Sequence, residues 1–291
     1  MIRIGLVGAG AIGSRIARLI DAGGLPARLV ALHDLDRQKG EQLLRALNSP
    51  PPFSTLPEVV EAADLVVEAA SQQALRDLFP LVVEAGKDIL VLSVGALLDL
   101  EAWLERAKEK GCQVHLPSGA IAGLDGLESA LRGGITTVRL VSRKPVRALR
   151  GSPYVVNRNI RLEELTEETV IFEGSAREAC RAFPATANVA ATLSLSGIGA
   201  DQTFVTVHAV PEGNCNRHEI EVRGNFGMMR IVVENVPAPD NPRTSMLAAL
   251  SAEAALIRIC GGEKGTTEIL TSRYRRSKRS DREDPRSSSL Q

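Results

Sequence analysis

GLVGAGAIGSRIA, residues Gly5 to Ala17, decides how the rest of the chain is read. It contains Gly8-x-Gly10-x-x-Gly13, a spacing too common to mean much by itself. Its neighbours give it meaning. The aliphatic run Ile2–Val7 reads as a buried strand, Ala11–Asp21 as a helix and Leu29–His33 as a second strand. The glycines therefore fall in a strand–turn–helix–strand unit. In such a unit Gly8 permits the tight turn, Gly10 lets the backbone approach a pyrophosphate, and Gly13 lets helix and strand pack closely. The first helical N–H groups, around Ala11 and Ile12, carry the positive end of the helix dipole toward the phosphates.

The alternation continues outward from this unit. It gives a polar-faced helix Gln38–Leu47, a proline break at Ser49–Ser54, a helix Leu56–Ala63 and a strand Leu65–Ala69. A helix Ala74–Ala85, a strand Ile89–Ser93, a helix Asp99–Lys110 with Asp99 as its N-cap, and a strand Val114–Leu116 complete the series. Alternating strands and helices predict an α/β fold, a Rossmann-type doubly wound parallel sheet over residues 1–117. After Pro117 the pattern changes to that of a second, α+β domain over 118–244. Its expected strands are Ile135–Ser142, Val170–Phe172, Thr203–Ala209, His218–Arg223 and Met229–Glu234, the last three as an antiparallel meander. Ser175 and Glu178 form a capping box opening a helix to about Ala182. An amphipathic helix from Ser245 to Ile259, within residues 245–265, is expected to return to the first domain. Residues 270–291 are almost devoid of apolar side chains and read as a disordered basic tail.

Composition narrows the functional classes. Apolar residues make up 44% of the 291 and charged residues 24%, with 35 basic side chains balanced by 35 acidic ones. A net charge of zero argues against a nucleic-acid partner. MIRIGLVG already reads as strand, and no apolar run approaches bilayer length, so neither a leader nor a membrane partner is expected. Cys112, Cys180, Cys215 and Cys260 lack paired spacing, which points to reduced thiols in the cytoplasm.

Ligands on such sheets lie at the carboxyl ends of the strands. Asp34 ends the second strand about 20 residues past the last glycine, where a carboxylate binds the adenosine ribose hydroxyls. That carboxylate repels a 2′-phosphate and favours NAD, while Arg37 nearby leaves NADP open. A plain loop acid, at Asp34 or Asp36, is the lesser alternative. Three small polar segments share that edge: Ser71-Gln72-Gln73, Ser93-Val94-Gly95 and Leu116–Gly123.

NCNRHEIEVRG, Asn214–Gly224, holds the residue hardest to place. Cys215 and His218 have ligand-like spacing, but zinc wants about four donors and His208 is the single extra candidate, so no metal is expected. Along HEIEVR, His218 shares a face with Ile220 and Val222, the face expected to be buried. A satisfied core histidine and a general base at a pocket mouth both fit that placement.

Together with VVEAASQQAL (Val66–Leu75), LPSGAIAGLDGL (Leu116–Leu127), FPATANVAATLSLSGIG (Phe183–Gly199), NRHEIEV (Asn216–Val222) and ENVPAPDNPRTSMLAALS (Glu234–Ser251), the chain resembles the L-aspartate dehydrogenase family up to about Ala255. The resemblance implies a Rossmann domain binding NAD or NADP and a mixed domain carrying the substrate site and subunit contacts. It implies His218 as the active-site histidine, and Ala122 and Asn188 as dinucleotide contacts. The implied reaction is oxidative deamination of L-aspartate to iminoaspartate, then oxaloacetate and ammonia, at the start of pyridine-nucleotide biosynthesis. A homodimer is expected. Substrate carboxylates need donors, and Arg243, Thr244 and Ser245 stand where a helix starts, as an anion site or as simple N-caps. A dihydrodipicolinate-reductase-like enzyme and a non-catalytic dinucleotide sensor are the competing readings.

Overall fold

A computed structural model of the chain describes residues 1–239 and 241–261, apart from the side chains of Pro242 and Arg243. The expectations for the Arg243 side chain and for the tail 270–291 lie outside the described residues.

The first sheet runs β2-β1-β3-β4-β5, all parallel, with β1 Ile2–Val7, β2 Ala27–His33, β3 Leu65–Glu68, β4 Asp88–Val91 and β5 Val114–His115. Strands β3 (LVVE) and β4 (DILV) are continuous aliphatic runs because helices cover both sheet faces. The helices are α1 Ala11–Asp21, α2 Arg37–Arg45, α3 Leu56–Ala62, α4 Gln72–Glu84 and α5 Glu101–Lys110. Helix α4 starts two residues earlier than its apolar pattern indicates, because the Ser71 side chain accepts from Ala74 N at 3.2 Å and caps it.

Asp99 is not the N-cap expected of it. Val94–Leu98 are all buried and wind into a 3-10 turn that ends at Asp99, so α5 begins only at Glu101, behind Leu100. The Asp99 carboxylate instead accepts from Arg76 Nη2 at 2.9 Å. Burial of VGALL outweighs the capping preference of a single aspartate.

The second sheet departs from the expected meander. Its order is β10-β9-β6-β8-β7, with β6 Ile135–Pro145, β7 Thr169–Ser175, β8 Thr203–Val210, β9 Asn216–Gly224 and β10 Gly227–Asn235. Only β9 and β10 form a hairpin. Strand β6 lies between β8 and β9, parallel to the first and antiparallel to the second. Gly/Asn/Pro-rich turns mark where strands end but not which strands pair. Helices α6 Leu124–Gly133, α7 Val146–Leu149, α8 Pro153–Asn157, α9 Ala176–Ala182 and α10 Asn188–Leu195 accompany this sheet. The capping box at Ser175 and Glu178 opens α9.

Strand register sorts the second sheet into two faces. On the inner face, the rows Val138–Val222–Met229 and Leu140–Ile220–Ile231 are apolar, and the next row, Ser142–His218–Val233, turns polar. The outer face carries charged residues with exposed Val170, Phe204, Met228 and Val232 among them.

Two short strands, β11 Pro237–Ala238 and β12 Asn241–Ser245, pair antiparallel before α11 Met246–Cys260. NPRTS is thus a strand that runs directly into α11, with Ser245 at the N-cap position of the helix. Helix α11 runs back to the first sheet, where Ala252, Ala255 and Leu256 pack in one core cluster with Ile16, Ala17 and Ile20 of α1. An Arg15–Glu253 ion pair joins the same two helices. No described helix is long and apolar enough to cross a membrane.

Candidate active site

The glycine turn has the geometry that a phosphate cradle needs. Gly8 has φ +107°, and a Cβ there would sit 2.5 Å from the Ala69 carbonyl oxygen. A Cβ on Gly13 would collide with the Gly8 carbonyl. Around Gly10, by contrast, a Cβ would meet no atom within 4 Å. The backbone there borders open space at the N-terminus of α1, where Gly10 is the N-cap and no side chain bonds the first turn. Those N–H groups are left for an anion. The residues therefore fit the pyrophosphate of a dinucleotide.

Asp34 holds this turn in place. Its Oδ2 accepts from Ala9 N at 2.6 Å and its Oδ1 from Asp36 N at 2.7 Å. Asp36 caps α2 by accepting from Lys39 N. Arg37 pairs with Glu41 at 2.8 Å and lies over the Phe53 ring.

Glu68, which the sequence reading did not single out, ties the next two strand ends together. It is fully buried at the end of β3 and accepts from Ala70 N, Leu92 N, Ser93 N and Ser93 Oγ at 2.8–3.2 Å. Burial pushes its carboxyl above the ordinary range against the pull of these donors. Its position fixes the loops carrying Ser71 and Ser93. Asn188, first residue of α10, crosses to the same region, accepting from Gly95 N at 3.2 Å through Oδ1. Gln72 donates to the Pro184 carbonyl at 2.9 Å. These bonds lock the post-β4 turn to the segment before α10.

Between the two sheets lies a cavity of about 150 Å³, lined by Ile12 of α1 and by Pro117 and Ala120 of the loop after β5, and by Asn188, His218 and Lys144 from the other side. Thr244 and Ser245 line it as well. Ser245 holds the N-cap position of α11 without a cap hydrogen bond, and its Oγ accepts from Asn216 Nδ2 at 3.4 Å. Ser71 lies in an adjoining cleft that shares Asn188 and Thr244 with this cavity. Ala122 is exposed and outside the lining, two residues beyond Ala120.

His218 is 2% exposed, and its Nδ1 is 2.9 Å from Ser142 Oγ, its partner in the β6–β9 register. The tautomer with Nδ1–H donating to Ser142 leaves an Nε2 lone pair as a proton acceptor. Burial, then the Lys144 charge, push the imidazole down to about 3. It is therefore neutral at physiological pH. Lys144, two residues beyond Ser142 on the same face, is 5% exposed and burial lowers its amine to about 8. Sequence reading missed Ser142, Lys144 and Asn216, although the period of two was there. Lys144 has the parity of Val138 and Leu140, and Asn216 that of His218.

The chain is similar to proteins of known activity. A family model described as aspartate dehydrogenase, C-terminal, matches residues 125–259, and one described as homoserine dehydrogenase, NAD binding domain, matches 8–117. An L-aspartate dehydrogenase of Methanosarcina mazei is 48% identical over 89% of this chain and 97% of its own. One from Nitrosopumilus maritimus is 40% identical over 90% of this chain and 98% of its own. The crystal structure of aspartate dehydrogenase from Thermotoga maritima superposes with a TM-score of 0.66 at 25% identity, covering 89% of this chain and 97% of that one.

Proposed function

The chain belongs to the L-aspartate dehydrogenase family, and from that premise we propose how its residues carry out the NAD(P)-dependent oxidation of L-aspartate. The activity is that of an oxidoreductase; the residue roles are our reading. Gly8, Gly10 and Gly13 with the Ala11 and Ile12 backbone hold the pyrophosphate, and Asp34 holds the adenosine ribose. Ser71, Asn188 and the loop of Ala120 and Ala122 border the other end of the dinucleotide, which supplies the acceptor for the hydride from the substrate Cα.

The remaining work belongs to the chain. Thr244 and Ser245 line the cavity as donors for substrate oxygen atoms, and Arg243, next to them in the chain, is a further candidate donor. His218 takes the proton released by the substrate ammonium, or by the water that attacks iminoaspartate. A buried neutral imidazole with Nδ1 bonded to Ser142 is oriented for that task.

The observation that carries this reading is the shared cavity. Ile12, next to the glycine turn, and His218, on the far sheet, line the same space. A sensor has no need of a neutral histidine oriented there, and this favours an enzyme. Iminoaspartate leaves as a precursor for pyridine-nucleotide synthesis in the cytoplasm. The outer face of the second sheet, with Phe204, Met228 and Val232 at 42%, 50% and 54% exposure, pairs with a second copy in a homodimer.

The test is NAD(P)H formation over a panel of amino acids, run on the wild type and on His218→Ala. Aspartate is expected as the preferred substrate, with kcat lowered by roughly 10²–10⁴ in the variant. Near-normal turnover by His218→Ala would remove the histidine from the chemistry, and activity with other amino acids but not aspartate would overturn the substrate.

A further inference from the structure

The inner face of the second sheet carries an ionisable group for which the roles above have no use. Lys144 is at the polar end of β6, two residues past Ser142. Ser142 pairs with His218 and Arg143 with Arg217. Continuing that antiparallel register one residue sets Lys144 opposite Asn216. Asn216 in turn pairs with Asn235 on β10. After two apolar rows, this face thus ends in two polar rows, and both lead into the cavity.

Lys144 and His218 are the ionisable side chains among the described residues that line that cavity. The Lys144 ammonium donates to the Thr186 carbonyl at 3.2 Å, and among the described residues it has no carboxylate partner. Burying an ammonium without a counter-charge is strongly unfavourable, which is why buried lysines ordinarily pair. A second polar side chain beside it is also incompletely satisfied. Asn216 is 7% exposed and lines the same cavity, and its Oδ1 has no hydrogen-bond partner. A lone cation and a spare amide acceptor together match an amino acid, which brings a carboxylate and an ammonium.

We propose that Lys144 is the residue that receives a carboxylate of the dicarboxylate substrate, making it a specificity determinant beside the histidine. The assignment rests on the dehydrogenase reading for the identity of the substrate, and on the sheet register and cavity for the residue. The two neutral hydroxyls of Thr244 and Ser245 donate hydrogen bonds but cannot balance a carboxylate charge. Lys144 supplies that charge from a rigid central strand. Formation of the pair draws Lys144 toward its protonated form, because an adjacent anion favours the ammonium.

The experiment measures binding rather than turnover. Succinate, an unreactive dicarboxylate, is titrated calorimetrically into the NADH-loaded wild type at pH 8 in two buffers of different ionisation enthalpy. With the amine at about 8, binding is expected to take up about half a proton per site. Lys144→Met keeps the length of the stem and removes the charge. It is expected to bind succinate on the order of 100-fold more weakly, with no proton uptake. Its NADH affinity should stay near that of the wild type and its melting temperature should be no lower, since Met removes an unpaired buried charge, and Lys144→Arg should recover part of the succinate binding.

Succinate binding by Lys144→Met at wild-type strength, wild-type binding without proton uptake in titrations repeated from about pH 7 to about pH 10, or no binding by the wild type overturns the assignment. The proton uptake is read on the wild type alone, so a variant that fails to fold leaves the proposal testable. A wild type that binds succinate through Lys144 yet forms no NAD(P)H from aspartate overturns the substrate reading and leaves the Lys144 assignment standing.

Discussion

Gly8 and Gly10 are two residues apart in one turn, yet substituting each with alanine should have opposite consequences. Gly10 has φ −71° and ψ −171°, a conformation open to any residue, and its added Cβ meets no protein atom within 4 Å. Alanine is a markedly poorer N-cap than glycine, which costs about 0.5–1 kcal/mol, and the loss of unfolded-chain freedom returns about 0.4–1 kcal/mol. The two nearly cancel, so the melting temperature of Gly10→Ala should move by less than about 4 °C. The methyl group instead occupies the space through which a pyrophosphate approaches the α1 N-terminus. Losing one charge-assisted hydrogen bond there, at about 1.5–3 kcal/mol, raises the Kd for NADH by roughly 10- to 100-fold.

Gly8→Ala should do the reverse to the fold. A residue with a Cβ at φ +107° is strained by about 1–3 kcal/mol, before the contact with the Ala69 carbonyl is relieved. Relief requires β1 and the β3 loop to separate. A melting temperature several degrees lower is expected, at about 2–4 °C for each kcal/mol. Thermal unfolding and NADH fluorescence titration on both variants make the comparison. If Gly10→Ala binds NADH within about twofold of wild type, the turn is not a phosphate cradle and the cofactor assignment fails.

Two further outcomes follow from buried ionisable groups. Glu68→Ala strands Ala70 N and Ser93 N, which it serves at 2.8 Å each; the loss should be about 3 kcal/mol or more, seen in chemical denaturation, and an unchanged midpoint would mean these loops hold without it. His218 has its pKa lowered in the fold from 6.5 to about 3, so the folded state binds fewer protons than the unfolded one below pH 6.5. Its contribution to stability is complete above pH 6.5 and is lost as pH falls toward 3, by roughly 4–5 kcal/mol at most. His218→Leu should flatten that part of the stability–pH curve, and an acid limb as steep as that of the wild type would refute the buried neutral state.

The first sheet could be read from sequence because its signals are local. Each strand is an aliphatic run, each turn sits beside its own strand, and the glycine motif lies within a single unit. The second sheet could not, because its pairings are not local. Strand β6 reaches β8 across the whole segment from Val146 to Gln202, and nothing in the turn residues says that it inserts between β8 and β9. The same limit separated the site residues. His218 could be placed on a buried face by its own strand, whereas Ser142 and Lys144 come from a strand more than 70 residues earlier and join it only through register. Asp99 shows the converse, a local capping signal overridden by burial of the five residues before it.

The register that unites these residues also bears on when the histidine becomes a base of useful strength. Without an anion nearby, the Lys144 charge and burial both oppose a proton on His218, and the imidazole stays near 3. A proton acceptor that weak takes little from an ammonium. A dicarboxylate that pairs with Lys144 cancels the charge that opposes His218, and its second carboxylate adds one of the opposite sign. Both effects raise the imidazole toward the working pH, where a general base is most effective. On these assignments the substrate assembles its own base. A monocarboxylic amino acid occupying the same cavity supplies one negative charge fewer and leaves His218 weaker, so discrimination against it appears in kcat as well as in binding.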